Sequence, residues 1–197
     1  MAVRFRVKIA LCGNLCESDI VTSRQRWYRR NQLFNHSIDR TLASWLFDAS
    51  SLTSRMVALC RKSFSVQVLS QRWQKLDAEE AAAMSLNNVR AALVREVLLC
   101  CKNQPLVYAR TVIPVTTIQG AQRRFANMGN RPLGGMLFAD RTMRREQVQV
   151  AVLSASHDVN RYTRIDEPVW GRRSVFRVAG KPILVSEYFL PELLNRR

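Results

Sequence analysis

The chain has 197 residues, 47% of them hydrophobic, and carries 31 Lys and Arg against 15 Asp and Glu, a net charge of +16. That length and apolar content suit one globular domain with its own core, and no apolar run approaches the roughly 18 to 20 residues that cross a bilayer. The charge would attract nucleic acid, anionic lipid or small acidic substrates, yet the arginines are scattered and no RNA-recognition motif accompanies them, so no nucleic-acid partner is expected.

Residues 1 to 26 read as a basic extension without periodicity, and the domain proper is expected over 27 to 197. The start "MAVRFRVKIALCGNLC" runs from basic to apolar but breaks at Gly13 and Asn14 with no small-residue cleavage pattern, so a secretory signal is not expected. Ser37 is placed to cap a helix from Ile38, with Leu42, Trp45 and Leu46 on one face. "DASSLTSRMVALCRK" follows helical spacing through Leu52, Met56, Leu59 and Cys60, with Ser50 and Ser51 available to its free N–H groups. "SFSVQVLS" alternates as a strand. "LDAEEAAAMSLN" reads as a short helix capped by Asp77, with Glu79 and Glu80 in its first turn.

"AALVREVLLCC" and "PLVYARTVIPVTT", joined by "KNQP", form an expected hairpin, with Pro114 at an edge or a bulge. "GAQRRFANMGN" reads as a helix stopped by Gly129, "RPLGGMLF" as a tight connection and "REQVQVAVLS" as one strand. A polar loop from Ser154 to Glu167 leads to a second hairpin, "VWGRRSVFRV" and "ILVSEYFLP" around "AGKP". Hairpins with helices gathered in the first half predict a single-domain α+β fold on an antiparallel sheet.

Chemistry is sparse. The five cysteines show no disulfide framework or zinc-finger spacing, and the two histidines, His36 and His157, lie far from any cysteine pair, so reduced, buried thiols in the cytoplasm and no metal site are expected. "GNRPLGG" has the spacing of neither a P-loop nor a dinucleotide fingerprint.

Two charges stand out. At strand spacing, Arg95 shares a face with Leu93, Val97 and Leu99, while Glu187 shares one with Ile183, Val185 and Phe189. Each alone could reach water from a sheet edge, and together they could form a buried ion pair. Alternatively a ligand lies between them, its carboxylate in the arginine fork and a hydroxyl on the glutamate. Such a ligand is flat, apolar in the middle, acidic at one end and hydroxylated at the other.

In this order, "REVLL", "ARTVIPVTT", "RPLGGMLF", "WGRRS" and "GKPILVSEYFLP", with "WLFDASSLTSRM" before them, resemble the chorismate lyase family. The resemblance covers roughly 27 to 194. It implies an antiparallel sheet with helices packed against it, enclosing a ligand cavity under mobile flaps. The implied activity is the cofactor-free conversion of chorismate to 4-hydroxybenzoate and pyruvate, the first committed step of ubiquinone biosynthesis, by a cytoplasmic monomer. The implied catalytic residues are Glu187 and Arg95, and the substrate-binding positions fall on Leu52, Arg95, Leu133 and Glu187. Leu52 stands where family members often have methionine. Arg110, Arg172 and Arg173 are further candidates for a cation near the departing enolpyruvyl carboxylate. The alternative is a non-catalytic effector-binding domain of the same fold, as in ligand-sensing transcription regulators. Those follow a DNA-binding winged helix, which residues 1 to 26 are too short to supply.

Overall fold

The computed structural model describes residues 25–33, 38–153, 163 and 167–195. The expected extension up to residue 24, Ser37, both histidines, Cys12, Cys16 and most of the 154–167 loop lie outside the described residues. Among those described, eight strands form one antiparallel sheet: β1 (Tyr28–Arg29), β2 (Phe64–Lys75), β3 (Ala91–Cys101), β4 (Gln104–Pro114), β5 (Arg144–Arg145), β6 (Gln149–Leu153), β7 (Val169–Val178) and β8 (Lys181–Phe189). The order is β1-β6-β7-β8-β4-β3-β2, with β5 also paired to β7. Helices α1 (Arg40–Leu46), α2 (Leu52–Cys60), α3 (Ala78–Ala83), α4 (Leu133–Phe138) and α5 (Pro191–Leu194) complete the α+β domain. No described helix is long and apolar enough to cross a membrane.

Both expected hairpins form, each on a two-residue turn with positive φ at both positions: Lys102 and Asn103 (52° and 64°), Ala179 and Gly180 (49° and 77°). Such turns match the natural twist of the strands they join. The first turn is shorter than "KNQP", because pairing continues through Cys101↔Gln104 and Cys100↔Pro105. β4 lies between β3 and β8, so Pro114 marks neither an edge strand nor a bulge; it ends β4 beyond the last pair with β8, Val112↔Leu184. There its missing N–H costs no ladder bond to β8.

Helix starts follow from side-chain caps. Asp39 accepts from the Leu42 N–H at 2.9 Å, so α1 begins at Arg40, two residues later than expected. Ser51 accepts from the Ser54 N–H at 3.3 Å at the start of α2, and Asp77 from the Glu79 N–H at 2.7 Å at the start of α3. In α2, Leu52, Met56 and Cys60 are buried, but Leu59 is exposed. The i, i+4, i+8 stripe alone faces the sheet.

Four segments differ from expectation. β2 runs on to Lys75 through the polar "QRWQK", because an edge strand can keep its polar side chains in water. "GAQRRFANMGN" forms a 3-10 helix over Gly120–Phe125, its buried residues Gln122 and Phe125 at the three-residue spacing of that helix, and Gly129 (φ 56°) sits in a later turn. "RPLGGMLF" is not a bare connection but carries α4. "REQVQVAVLS" is divided into β5 and β6.

The sheet buries both faces. On the front, α1 and α2 pack over Val97, Leu99, Val107 and Phe189 at one end. Residues 118–138 pack over Leu93, Ile113, Phe176 and Ile183 at the other. On the back, α3 and its flanks cover Ala92, Val94, Val112 and Leu184. Cys60, Cys100 and Cys101 are buried, and burial raises the pKa of Cys100.

Candidate functional site

Between the two front clusters lies a cavity with about 50 Å³ open to the centre of a water molecule, several times the about 10–15 Å³ that one water needs by that measure. Leu52, Arg95, Leu133 and Glu187 all line it, as does Arg172. Its floor is the sheet. Arg95 on β3 and Glu187 on β8 flank β4, which contributes Ala109 and Thr111 between them. Two strand spacings and a two-residue offset put their Cα atoms roughly 12 Å apart, with only small side chains on the floor between.

Arg95 is only 3% exposed. Its Nη1 donates to Gln71 Oε1 at 2.9 Å, whereas Nη2 is buried with no hydrogen-bond partner among the described residues. Burial pushes its pKa below the ordinary arginine value, as expected when no carboxylate compensates the charge. A bulge between Val68 and Ser70 shifts the β2 register so that Gln71, not Ser70, stands opposite Arg95. Without that extra residue the glutamine would face the other side of the sheet.

Glu187 does not pair with Arg95. Its Oε2 accepts from Arg172 Nε at 2.6 Å, across the direct pair Arg172↔Glu187 of β7 and β8. Arg172 is 1% exposed and its Nη1 donates to the carbonyls of Trp45 at 2.8 Å and Asp48 at 2.9 Å. The guanidinium thus ties the sheet to the α1–α2 connection. Gly171 beside it has no room for a side chain: an added Cβ would overlap the Tyr188 ring and lie 3.2 Å from the Glu187 carbonyl.

The cover comes from the starts of α2 and α4. An added Cβ on Gly134 would lie 2.6 Å from Thr53 Oγ1 and 3.1 Å from Ser51 Oγ, so glycine is what lets the two helix starts meet. That close approach explains the helical "RPLGGMLF" despite its two poor helix formers.

Arg110 and Arg173 are not brought to the cavity. Alternation puts them on the back face, where Arg110 bonds Glu80 at 2.9 Å and Glu96 at 3.1 Å, and Arg173 bonds Glu79 at 2.5 Å. Burial acts to raise the Glu96 pKa, but hydrogen bonds from Ser70 (2.7 Å) and Tyr108 (2.8 Å), with Arg110, outweigh it and hold the carboxyl below its usual range. This network joins α3 to the sheet.

Sequence reading also missed Arg145 and Arg131, which line the cavity. Arg145 lies on the two-residue β5, too short for alternation to reveal its face. Four arginines and one glutamate are the ionisable side chains of the lining. Among the described residues no group of three or more His, Cys, Asp or Glu side chains could hold a metal ion.

An antiparallel sheet with helices packed on it and a chamber lined by four arginines and one glutamate defines an α+β domain with a cationic cavity. Solved structures share the fold. The ligand-binding domain of a GntR-family transcriptional regulator from Bordetella bronchiseptica matches with a TM-score of 0.52 at 17% identity, over 66% of this chain and 85% of that one. A GntR-family regulator from Bacillus cereus matches with 0.53 at 10%, over 69% and 97%. At these identities the likeness is of fold alone.

The chain belongs to the chorismate lyase family, whose model matches residues 21–197. Proteins named "probable chorismate pyruvate-lyase" are 43% identical over 157 residues in Methylococcus capsulatus (78% of this chain, 97% of that protein). They are 42% identical over 157 residues in Psychromonas ingrahamii (76% and 82%) and 36% over 170 residues in Pseudomonas aeruginosa (86% and 93%).

Proposed function

We propose that the protein is a chorismate pyruvate-lyase, converting chorismate to 4-hydroxybenzoate and pyruvate at the entry to ubiquinone biosynthesis, in the cytoplasm and without a cofactor. The lyase domain spans 27–197. The observation that carries this reading is the buried Nη2 of Arg95, which has no hydrogen-bond partner among the described residues, in a cavity that Glu187 also lines. A buried donor left unmatched by protein calls for a ligand acceptor.

In this reading Arg95 grips the ring carboxylate, assisted by backbone N–H groups near Leu52 and Leu133. Glu187 accepts a hydrogen bond from the C4 hydroxyl. Loss of the C4 hydrogen and cleavage of the C3–O bond then give the aromatic ring and pyruvate. If the proton leaves to Glu187, pyruvate departs as its enolate and is protonated on carbon afterwards; if it passes directly to the enol-ether methylene in a concerted step, pyruvate forms at once as the ketone. Aromatisation supplies the driving force, so the protein contributes mainly position and charge. Arg172 stands beside Glu187 and orients its carboxylate.

The test is incubation of purified protein with chorismate, following pyruvate by a coupled assay and 4-hydroxybenzoate by chromatography. Equal release of both supports the lyase. Binding of 4-hydroxybenzoate without turnover of chorismate overturns it in favour of an effector-binding domain.

A further inference from the structure

We infer that Arg145 forms a second carboxylate subsite in the cavity, which receives the enolpyruvyl carboxylate of the substrate and makes the site select dianions over monoanions. The inference rests on the lyase reading and extends it to a residue that the sequence left unremarked.

The charges of the lining motivate it. One glutamate opposes four arginines, and that glutamate is bonded to Arg172. Arg172 is therefore compensated, and both N–H bonds of its Nη1 are engaged by the Trp45 and Asp48 carbonyls. Arg145 differs. Its Nε donates to Ser174 Oγ at 3.0 Å and its Nη1 to the Asp48 carbonyl at 3.0 Å, both neutral acceptors. Among the described residues it forms no salt bridge and its Nη2 makes no hydrogen bond. Two neutral bonds hold the guanidinium in place at the cavity wall and leave the Nη2 donors for a carboxylate.

Strand order supplies the geometry. β5 pairs with β7, and β7-β8-β4-β3 follow, so the Glu187 strand lies between Arg145 and Arg95. In chorismate the ring carboxylate is para to the C4 hydroxyl, and the enolpyruvyl ether is on C3, beside that hydroxyl. With the ring carboxylate on Arg95 and the hydroxyl on Glu187, the enolpyruvyl group leaves the ring from the carbon beside that hydroxyl, at the Glu187 end of the cavity, where the Arg145 guanidinium shares the Asp48 carbonyl with Arg172. Arg110 and Arg173 point away from the cavity, Arg172 is already bonded to Glu187, and Arg131 is exposed on the cover, where it bonds the Met128 and Asn127 carbonyls. Arg145 remains.

The experiment compares two ligands on wild-type protein and on Arg145→Gln, Arg145→Lys and Arg95→Gln, with thermal melting as a check on folding. 4-Hydroxybenzoate is the monoanion; 3-(carboxymethoxy)-4-hydroxybenzoate keeps its groups and adds a second carboxylate at the position of the ether. Arg145→Gln should weaken the dianion by roughly 10- to 100-fold, the range of one charge-assisted hydrogen-bonded contact, while changing 4-hydroxybenzoate affinity little. Its KM for chorismate should rise in parallel. Arg145→Lys should recover part of the dianion preference, and Arg95→Gln should weaken both ligands. Equal loss of both ligands in Arg145→Gln, or loss of neither, overturns the subsite while wild-type turnover leaves the lyase reading intact. Wild-type protein that binds neither ligand and turns over no chorismate overturns both.

Discussion

Arg172 and Glu187 face each other across β7 and β8, Nε 2.6 Å from Oε2, with the arginine 1% exposed. The pair sits at the junction of sheet, cavity and α1–α2 connection, since the same guanidinium also binds the Trp45 and Asp48 carbonyls. Its Nε and Nη1 are thus engaged by three acceptors where they lie. Removing either member leaves the other charge in a place built for two.

Arg172→Met is therefore expected to destabilise the fold by about 3–5 kcal/mol, the usual consequence of stranding one half of a buried pair. Glu187→Gln should cost less, because the amide oxygen can still accept from Nε. Urea unfolding midpoints of the two variants test this order. A smaller loss for Arg172→Met than for Glu187→Gln would contradict the clamp.

Turnover separates two roles for Glu187. If it hydrogen-bonds the C4 hydroxyl, Glu187→Gln should retain activity with about a tenfold loss, as a charged acceptor becomes a neutral one. Glu187→Ala should lose more. Equal losses of about 10⁴-fold in both would instead identify Glu187 as the base that takes the C4 proton. Arg95→Ala should weaken 4-hydroxybenzoate binding by roughly 10- to 100-fold; unchanged turnover and affinity would remove Arg95 from the site.

The cover of the cavity depends on Gly134. Gly134→Ala puts a Cβ 2.6 Å from Thr53 Oγ1, so the starts of α2 and α4 must separate. A cost of about 1–3 kcal/mol is expected, with faster release of bound 4-hydroxybenzoate. Adding Thr53→Ala removes the closest atom and should restore part of both. Stopped-flow dissociation and thermal melting are the measurements.

Acid stability should report the back-face network. The Glu96 carboxyl is held below its usual range in the folded protein, so its contribution is present above the unfolded-state pKa and is lost as pH falls through the lower folded value. Glu96→Gln should lower stability at neutral pH and flatten its decline on acidification. Denaturant midpoints from about pH 7 down to about pH 3 would show it, and parallel wild-type and variant curves would refute it. Arg110→Ala should likewise destabilise while leaving 4-hydroxybenzoate affinity in place, since Arg110 lies on the far face.

Much of this architecture was legible from period-two patterns. "AALVREVLLCC" and "ILVSEYFLP" announced their strands because side chains in a buried ladder must alternate, and the same alternation put Arg95 and Glu187 on apolar faces. Caps at Ser51 and Asp77 were readable because a hydroxyl or carboxylate at a helix start meets free N–H groups wherever it occurs. Local rules reached no further than their own segment. Nothing in "RPLGGMLF" signals a helix until Gly134 meets Thr53, and β5 is too short to carry a pattern.

The sequence by itself determined which residues face inward, because burial acts on each strand through its own backbone geometry. Tertiary structure decided which of those residues meet. Strand order put Arg172 rather than Arg95 against Glu187, a one-residue bulge brought Gln71 to Arg95, and pairing of β5 with β7 carried Arg145 to the cavity. Those outcomes depend on register and order between segments far apart in the chain. A charged side chain finds its partner through the sheet, not along the sequence.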